Sequence, residues 1–134
     1  MDEVQKRVRR LSKQLYDLLG AKPVRLQTGR LKGVKNEWGI YRIYTARSSK
    51  TLYVGKSKRL HSRLRVDLLS SGGAHTFKTK LQKAGKSLTD VLGFLQNCHV
   101  QWLHMSKDEV TTLEHFAIAS LDPVWNDSCM ERLR

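Results

Sequence analysis

Glu114 is the residue of this chain that most needs a reason. It shares one helical face with Val110, Ala117 and Leu121, at positions i, i+4, i+7 and i+11 of an apolar stripe. A carboxylate in such a place is costly unless it is paired, hydrogen-bonded or bound to a metal. The plainer alternative is that Glu114 sits at the edge of the stripe and meets a lysine. Arg63 stands on the flank of a second stripe, Leu60, Leu64 and Leu68. Its guanidinium can grip a phosphate through two N–H groups, or pair with Asp67 one turn along. Tyr41 lies near Gly39, and Tyr53 lies near Gly55 with Lys56 following. Two tyrosines beside glycines form a surface that a phosphate backbone can approach, although tyrosine is also simply a good strand former. Asn126, in Pro123-Val124-Trp125-Asn126, is either part of the same site or an ordinary turn residue.

The elements that would carry these side chains are legible in the periodicity. Val4, Val8, Leu11, Leu15, Leu18 and Leu19 predict an amphipathic helix that ends at Gly20. Residues 20–37 hold Pro23, Gly29 and Gly33 without a clear period and read as a basic linker. The runs Gly39–Ala46 and Thr51–Gly55, separated by Arg47-Ser48-Ser49-Lys50, predict a hairpin. Ser57 is a candidate cap for a helix reaching about Leu69, which places Arg63 and Asp67 on it. Thr76–Ala84 reads as a short basic helix closed by Gly85, and residues 88–96 as an apolar helix. Cys98–Met105 reads as a third strand. Ser106-Lys107-Asp108-Glu109 has the capping-box pattern, so a helix carrying Glu114 is expected from Lys107 to about Leu121, where Pro123 prevents its continuation. The fold class that follows is α/β, of the α+β kind: a small antiparallel sheet of about three strands flanked by helices, with an N-terminal helix appended. That helix cannot bury its stripe alone and is expected to pack on its own chain.

The charge narrows the class of partner. The 134 residues hold 25 Lys+Arg against 12 Asp+Glu, a formal net charge of +13. Residues 1–35 carry +7 and residues 56–86 carry +8, whereas residues 87–134 carry −4. Two basic segments and an acidic third read as a binding face and a back, with nucleic acid the leading partner. No apolar run approaches the roughly 18 residues of a membrane span. The charged residues 1–10 are not expected to act as a secretory signal. Cys98 and Cys129 form neither a CxxC pair nor a disulfide framework, which fits a reducing cytoplasm and argues against structural zinc.

Five elements fall in an informative order. Gly39-Ile40-Tyr41, then Tyr53-Val54-Gly55, then Arg63, Glu114 and Asn126 resemble the motif set of the GIY-YIG nucleases. The local context agrees. Tyr53-Val54-Gly55-Lys56-Ser57-Lys58-Arg59-Leu60 with Arg63-Leu64 is similar to that family's second strand and arginine helix, and Leu113-Glu114-His115 with Pro123-Val124-Trp125-Asn126 to its metal-binding end. The likeness covers about residues 38–127. Residues 1–37 are then a basic helix and linker, and residues 128–134 a C-terminal tail. The resemblance implies a DNA endonuclease that hydrolyses phosphodiester bonds with one divalent ion, Mg²⁺ or Mn²⁺. In that frame Glu114 holds the metal and Arg63 stabilises the scissile phosphate. Tyr41 is the general base toward water, Tyr53 supports the nucleophile, and Asn126 orders the site.

The sequence departs from the family at one point. Four residues after the arginine, where many members have histidine or tyrosine, it has Asp67. His61, His75 or Asp67 itself must then supply the missing group, or activity is reduced. His75 follows Gly72-Gly73 and is expected in a mobile loop. Lys56, Lys58, Arg59, Arg65, Lys78 and Lys80 are the expected phosphate contacts. The expected partner is DNA, with no membrane, and the expected state is monomeric. The rival reading is a nucleic-acid-binding module of the same fold with impaired catalysis.

Overall fold

The computed structural model describes residues 2–127; the expected tail, with Cys129, lies outside them. Helix α1 (Glu3–Gly20) begins at a capping box in which Asp2 accepts from the Gln5 amide and Gln5 accepts from that of Asp2. Only its second half is anchored. Leu11, Leu15 and Leu18 are buried, while residues 2–10 are all exposed, so Val4 and Val8 continue the stripe into solvent. Three buried leucines contribute about 2 kcal/mol each, which holds α1 to its own chain as expected.

Among the described residues the sheet has four strands rather than about three, all antiparallel. The addition is β1 (Val24–Arg25), inside the stretch read as a linker. Strands β2 (Gly39–Tyr44) and β3 (Thr51–Ser57) form the expected hairpin. Strand β4 (His99–His104) pairs along β2 and also receives β1, with Val24 opposite Val100, so the order is β1-β4-β2-β3. Two residues are too few to show a period, so tertiary pairing alone defines β1. The same stretch sends Leu26, Leu31 and Val34 into the core.

The helices divide between the two faces of the sheet. α2 (residues 60–68), α3 (Thr76–Lys83) and α4 (Leu88–Gln96) cover the face that carries Tyr41, Ile43, Tyr53 and Val100. On the opposite face, α1 and α5 (Lys107–Leu121) bury Leu11, Leu15, Leu18, Val110, Leu113 and Ala117 against Ile40 and Val54. α2 opens as an α-helical turn at Leu60–Ser62 and continues as a π-helical stretch, Arg63–Leu68, in which the Leu69 amide reaches back to the Leu64 carbonyl at 3.2 Å. Ser57 does not cap it. That serine ends β3 and accepts from the Arg59 amide, while Arg59 takes the cap position without a side-chain bond.

A buried cation ties the layers together. Arg42 donates to Thr51 Oγ1 (2.7 Å), to Gln101 Oε1 (2.8 Å) and to the Ser49 carbonyl (2.6 Å). Gln101 in turn donates to the carbonyls of Leu19 and Ala21 at the end of α1. The helix C-terminus, whose Leu18 carbonyl already accepts from the Ala21 amide, is thereby closed further from β4.

Candidate active site

β2 and β3 place Tyr41 directly across from Gly55. A Cβ at Gly55 would overlap the Tyr41 phenol at Oη and Cζ, so the phenol occupies the space that any other residue would need. A Cβ at Gly39 would lie only 2.7 Å from Leu60 Cδ2 and 2.9 Å from the Leu103 carbonyl. The motif glycines thus let the tyrosine and α2 lie against bare backbone. Gly55→Ala is expected to cost about 1–3 kcal/mol through overpacking, seen as a melting temperature lower by about 5 °C or more. An unchanged melting temperature together with unchanged activity would refute the close-approach explanation.

The tyrosines are not on an open surface, as the neighbouring glycines suggested. Tyr41 is 1% exposed and Tyr53 is 9% exposed, because α3 closes over them. The Tyr53 ring stacks on Phe77 at 5.2 Å, and His75 stands edge-on to both tyrosines. Sequence reasoning missed Phe77; only its place on the apolar face of α3 hints at it. Burial, above all, pushes the Tyr41 phenol well above its ordinary pKa; Tyr53 adds to this, while Arg63 opposes it. Tyr53 is likewise raised, by burial first.

His75 is not in a mobile loop. It is 2% exposed and forms the N-cap of α3, its Nδ1 accepting from the Phe77 amide at 3.1 Å. Its Nε2 lies 2.6 Å from Tyr41 Oη. Burial, then Arg63 and Lys78, push its pKa down to about 3.

Arg63 makes the expected pairing with Asp67 one turn along, at 3.2 Å. It also donates to the Ala74 carbonyl at 3.1 Å, and its charge lies close enough to Tyr41 to favour the ionised phenol. Asp67 therefore acts as the anchor that aims Arg63. His61 is half-buried on α2 and is not among the groups bonded to Arg63 or Tyr41. Glu114, on α5, meets Lys56 at 3.3 Å, the lysine contact expected of a carboxylate at the stripe's edge, with its side chain 17% exposed. It is close enough to oppose ionisation of both tyrosines. Four elements, β2, β3, α2 and α5, thus bring Tyr41, Tyr53, Arg63 and Glu114 to one place, and the start of α3 adds His75.

No family model and no curated protein matches the chain. Among solved structures it is similar to the GIY-YIG N-terminal endonuclease domain of UvrC from Thermotoga maritima bound to magnesium, at 22% identity over 95% of this chain and all of that one, with a TM-score of 0.47. A point mutant of the same domain, bound to its catalytic divalent cation, matches at 19% identity over 96% of this chain and all of that one, also with a TM-score of 0.47. The chain resembles a GIY-YIG endonuclease domain.

The remaining residues of the GIY-YIG-like set have other neighbours. Asn126 bonds the edge strand: its Oδ1 accepts from the Val54 amide (2.8 Å) and its Nδ2 donates to the Val54 carbonyl (2.9 Å). Beside it the amides of Val124 and Trp125 donate to Thr51 and Leu52, so residues 124–126 cover the free edge of β3. Of the expected phosphate contacts, Lys58, Arg59 and Arg65 are exposed. Lys78 is not available as one: it is 2% exposed, and its ammonium donates to the Ser70 carbonyl. Lys80 bonds Asp127 and the Trp125 carbonyl, and Lys56 is engaged by Glu114. A cleft of about 370 Å³ opens beside Arg63, lined also by Thr76, Thr79, Lys80 and Lys83; Lys83 is a basic residue absent from the expected set. Cys98 is buried with its thiol pushed up to about 12 by burial, which makes it unreactive. Among the described residues, no helix is long and apolar enough to cross a membrane.

Proposed function

We propose that residues 38–127 form a metal-dependent DNA endonuclease domain, with residues 1–37 adding a basic segment, and that the chain acts as a monomer. The observation that carries this reading is the convergence of one carboxylate, one guanidinium and two tyrosines from four separate elements beside a basic cleft.

The donor set fits a hard cation. Mg²⁺ takes oxygen ligands and commonly uses only one or two protein carboxylates, water and substrate oxygens completing its shell. Glu114 is such a carboxylate, with its side chain 17% exposed beside Lys56. A divalent ion held by Glu114 supplies Lewis-acid stabilisation of charge developing on the phosphoryl oxygens. The protein's own groups do the rest. Arg63, aimed by Asp67, stabilises the same charge without titrating. Lys58, Arg59 and Arg65, with Lys83 in the cleft, attract the phosphate backbone. Tyr41, once its own proton has passed to solvent, takes the proton of the water that attacks phosphorus. The P–O bond to the leaving oxygen breaks and that oxygen takes its proton from solvent. Tyr53, stacked on Phe77, holds the wall of the site beside Tyr41.

A phenol accepts a proton only after losing its own. Because the Tyr41 pKa is raised, phenolate is a small fraction at neutral pH, and that fraction grows about tenfold per pH unit. The test is incubation of the purified chain with single-stranded DNA, duplex DNA and RNA, with and without Mg²⁺ or Mn²⁺, across pH 6–9. The expected result is metal-dependent cleavage of DNA whose rate climbs with pH. A flat profile removes Tyr41 as the base. Salt-sensitive binding with no cleavage under either metal instead establishes the binding-module reading, which the pairing of Glu114 with Lys56 favours.

A further inference from the structure

We infer that His75 is a locked hydrogen-bond donor to Tyr41, a positioning residue that holds the phenol oxygen by giving it a proton to share, and does not act as a base that removes one. The inference rests on the nuclease reading for its consequence in catalysis, though not for its geometry.

The direction of the bond follows from the other ring nitrogen. A backbone amide only donates, so the Phe77 N–H at 3.1 Å requires a lone pair on His75 Nδ1. A neutral imidazole with a bare Nδ1 carries its hydrogen on Nε2, the atom 2.6 Å from Tyr41 Oη. An imidazolium is excluded by the same amide, since it would place a hydrogen on Nδ1 against the Phe77 N–H. Burial beside Arg63 and Lys78 acts in the same sense by opposing the cation. The helix cap thus sets the tautomer, and the tautomer sets what Tyr41 receives.

Tyr41 Oη then accepts from His75 Nε2–H, and the nearby Arg63 charge favours its ionised form. A phenol oxygen has two lone pairs, of which the bond from His75 uses one. When the phenol hydrogen is gone, the His75 donor stays and the vacated direction is where the proton of water arrives. His75 changes neither its charge nor its proton count through the cycle. The position four residues after Arg63 is left free to be an aspartate, because Asp67 anchors the guanidinium while the imidazole comes from the start of α3.

Two variants separate the cap from the donor. Asn at position 75 can still accept from the Phe77 amide but is too short to reach Tyr41; Gln reaches Tyr41 with an amide N–H but caps poorly. His75→Asn is expected to lower kcat about 10- to 100-fold with KM little changed and melting temperature near wild type. His75→Gln is expected to recover most of kcat despite a lower melting temperature. Imidazole ¹⁵N spectra of the full chain, which need no activity, should show the Nε2–H tautomer from pH 8 down to about 5. The Nδ1–H tautomer, an imidazolium at pH 6, or full kcat in the Asn variant would each overturn the inference. An inactive wild-type protein that shows the Nε2–H tautomer would refute the nuclease reading and leave the donor assignment standing.

Discussion

Glu114→Gln is expected to abolish metal-dependent DNA cleavage, lowering its rate by at least about 10³-fold, several kcal/mol of lost charge stabilisation at 1.36 kcal/mol per decade. The amide matches the carboxylate in size, so packing on α5 among Val110, Leu113 and Ala117 is preserved. What disappears is the charge. Lys56 loses its partner, but its side chain is 31% exposed and water takes over much of that role, so the change in stability stays within about 1 kcal/mol. Binding to DNA in the presence of a chelator should hold or tighten, because a negative charge has left a basic surface. Cleavage assays in Mg²⁺ and Mn²⁺, paired with a melting curve and a binding isotherm, separate these effects. Cleavage within tenfold of wild type would remove Glu114 from the chemistry and leave it as a partner for Lys56.

Arg63→Lys carries the second largest effect, a fall in kcat of about 10²- to 10³-fold, the cost typical of losing one preorganised donor at developing charge. A lysine keeps the positive charge, so a purely electrostatic role would be largely rescued. Arg63, however, bonds both Asp67 and the Ala74 carbonyl beside Tyr41, and a shorter-reaching point-charge ammonium cannot reproduce that planar geometry. The loss should appear in kcat with DNA affinity nearly intact, since Lys58, Arg59 and Arg65 remain exposed for backbone contact. Wild-type kcat in the lysine variant would show that the charge alone matters and that the aim supplied by Asp67 does not.

Both variants act on residues that stand out in the sequence, and the reason is physical. A carboxylate on an apolar helical face violates a local rule, and the arginine falls in order within the motif set. Such violations show in the sequence because helical period and capping are short-range. The same locality makes α1, the β2–β3 hairpin and α5 with its Ser106 cap readable close to their observed limits. His75 and Lys78 differ from expectation for the opposite reason. Glycines before His75 indicate a turn, but its burial depends on Tyr41, 34 residues away. Lys78 sits in a basic helix, yet its ammonium turns to the Ser70 carbonyl because that carbonyl lies beneath α3.

By itself, then, period and capping determined the α+β class, the order of Gly39-Ile40-Tyr41, Tyr53-Val54-Gly55, Arg63, Glu114 and Asn126 determined the resemblance, and the charge asymmetry pointed to an anionic polymer. Tertiary structure decided who bonds whom. It paired Val24 with Val100 to make a fourth strand, spent Asn126 on the edge of β3, and gave His75 to Tyr41. Period and capping are written into neighbouring residues, whereas the direction of a hydrogen bond between distant side chains exists only once the layers have closed around it.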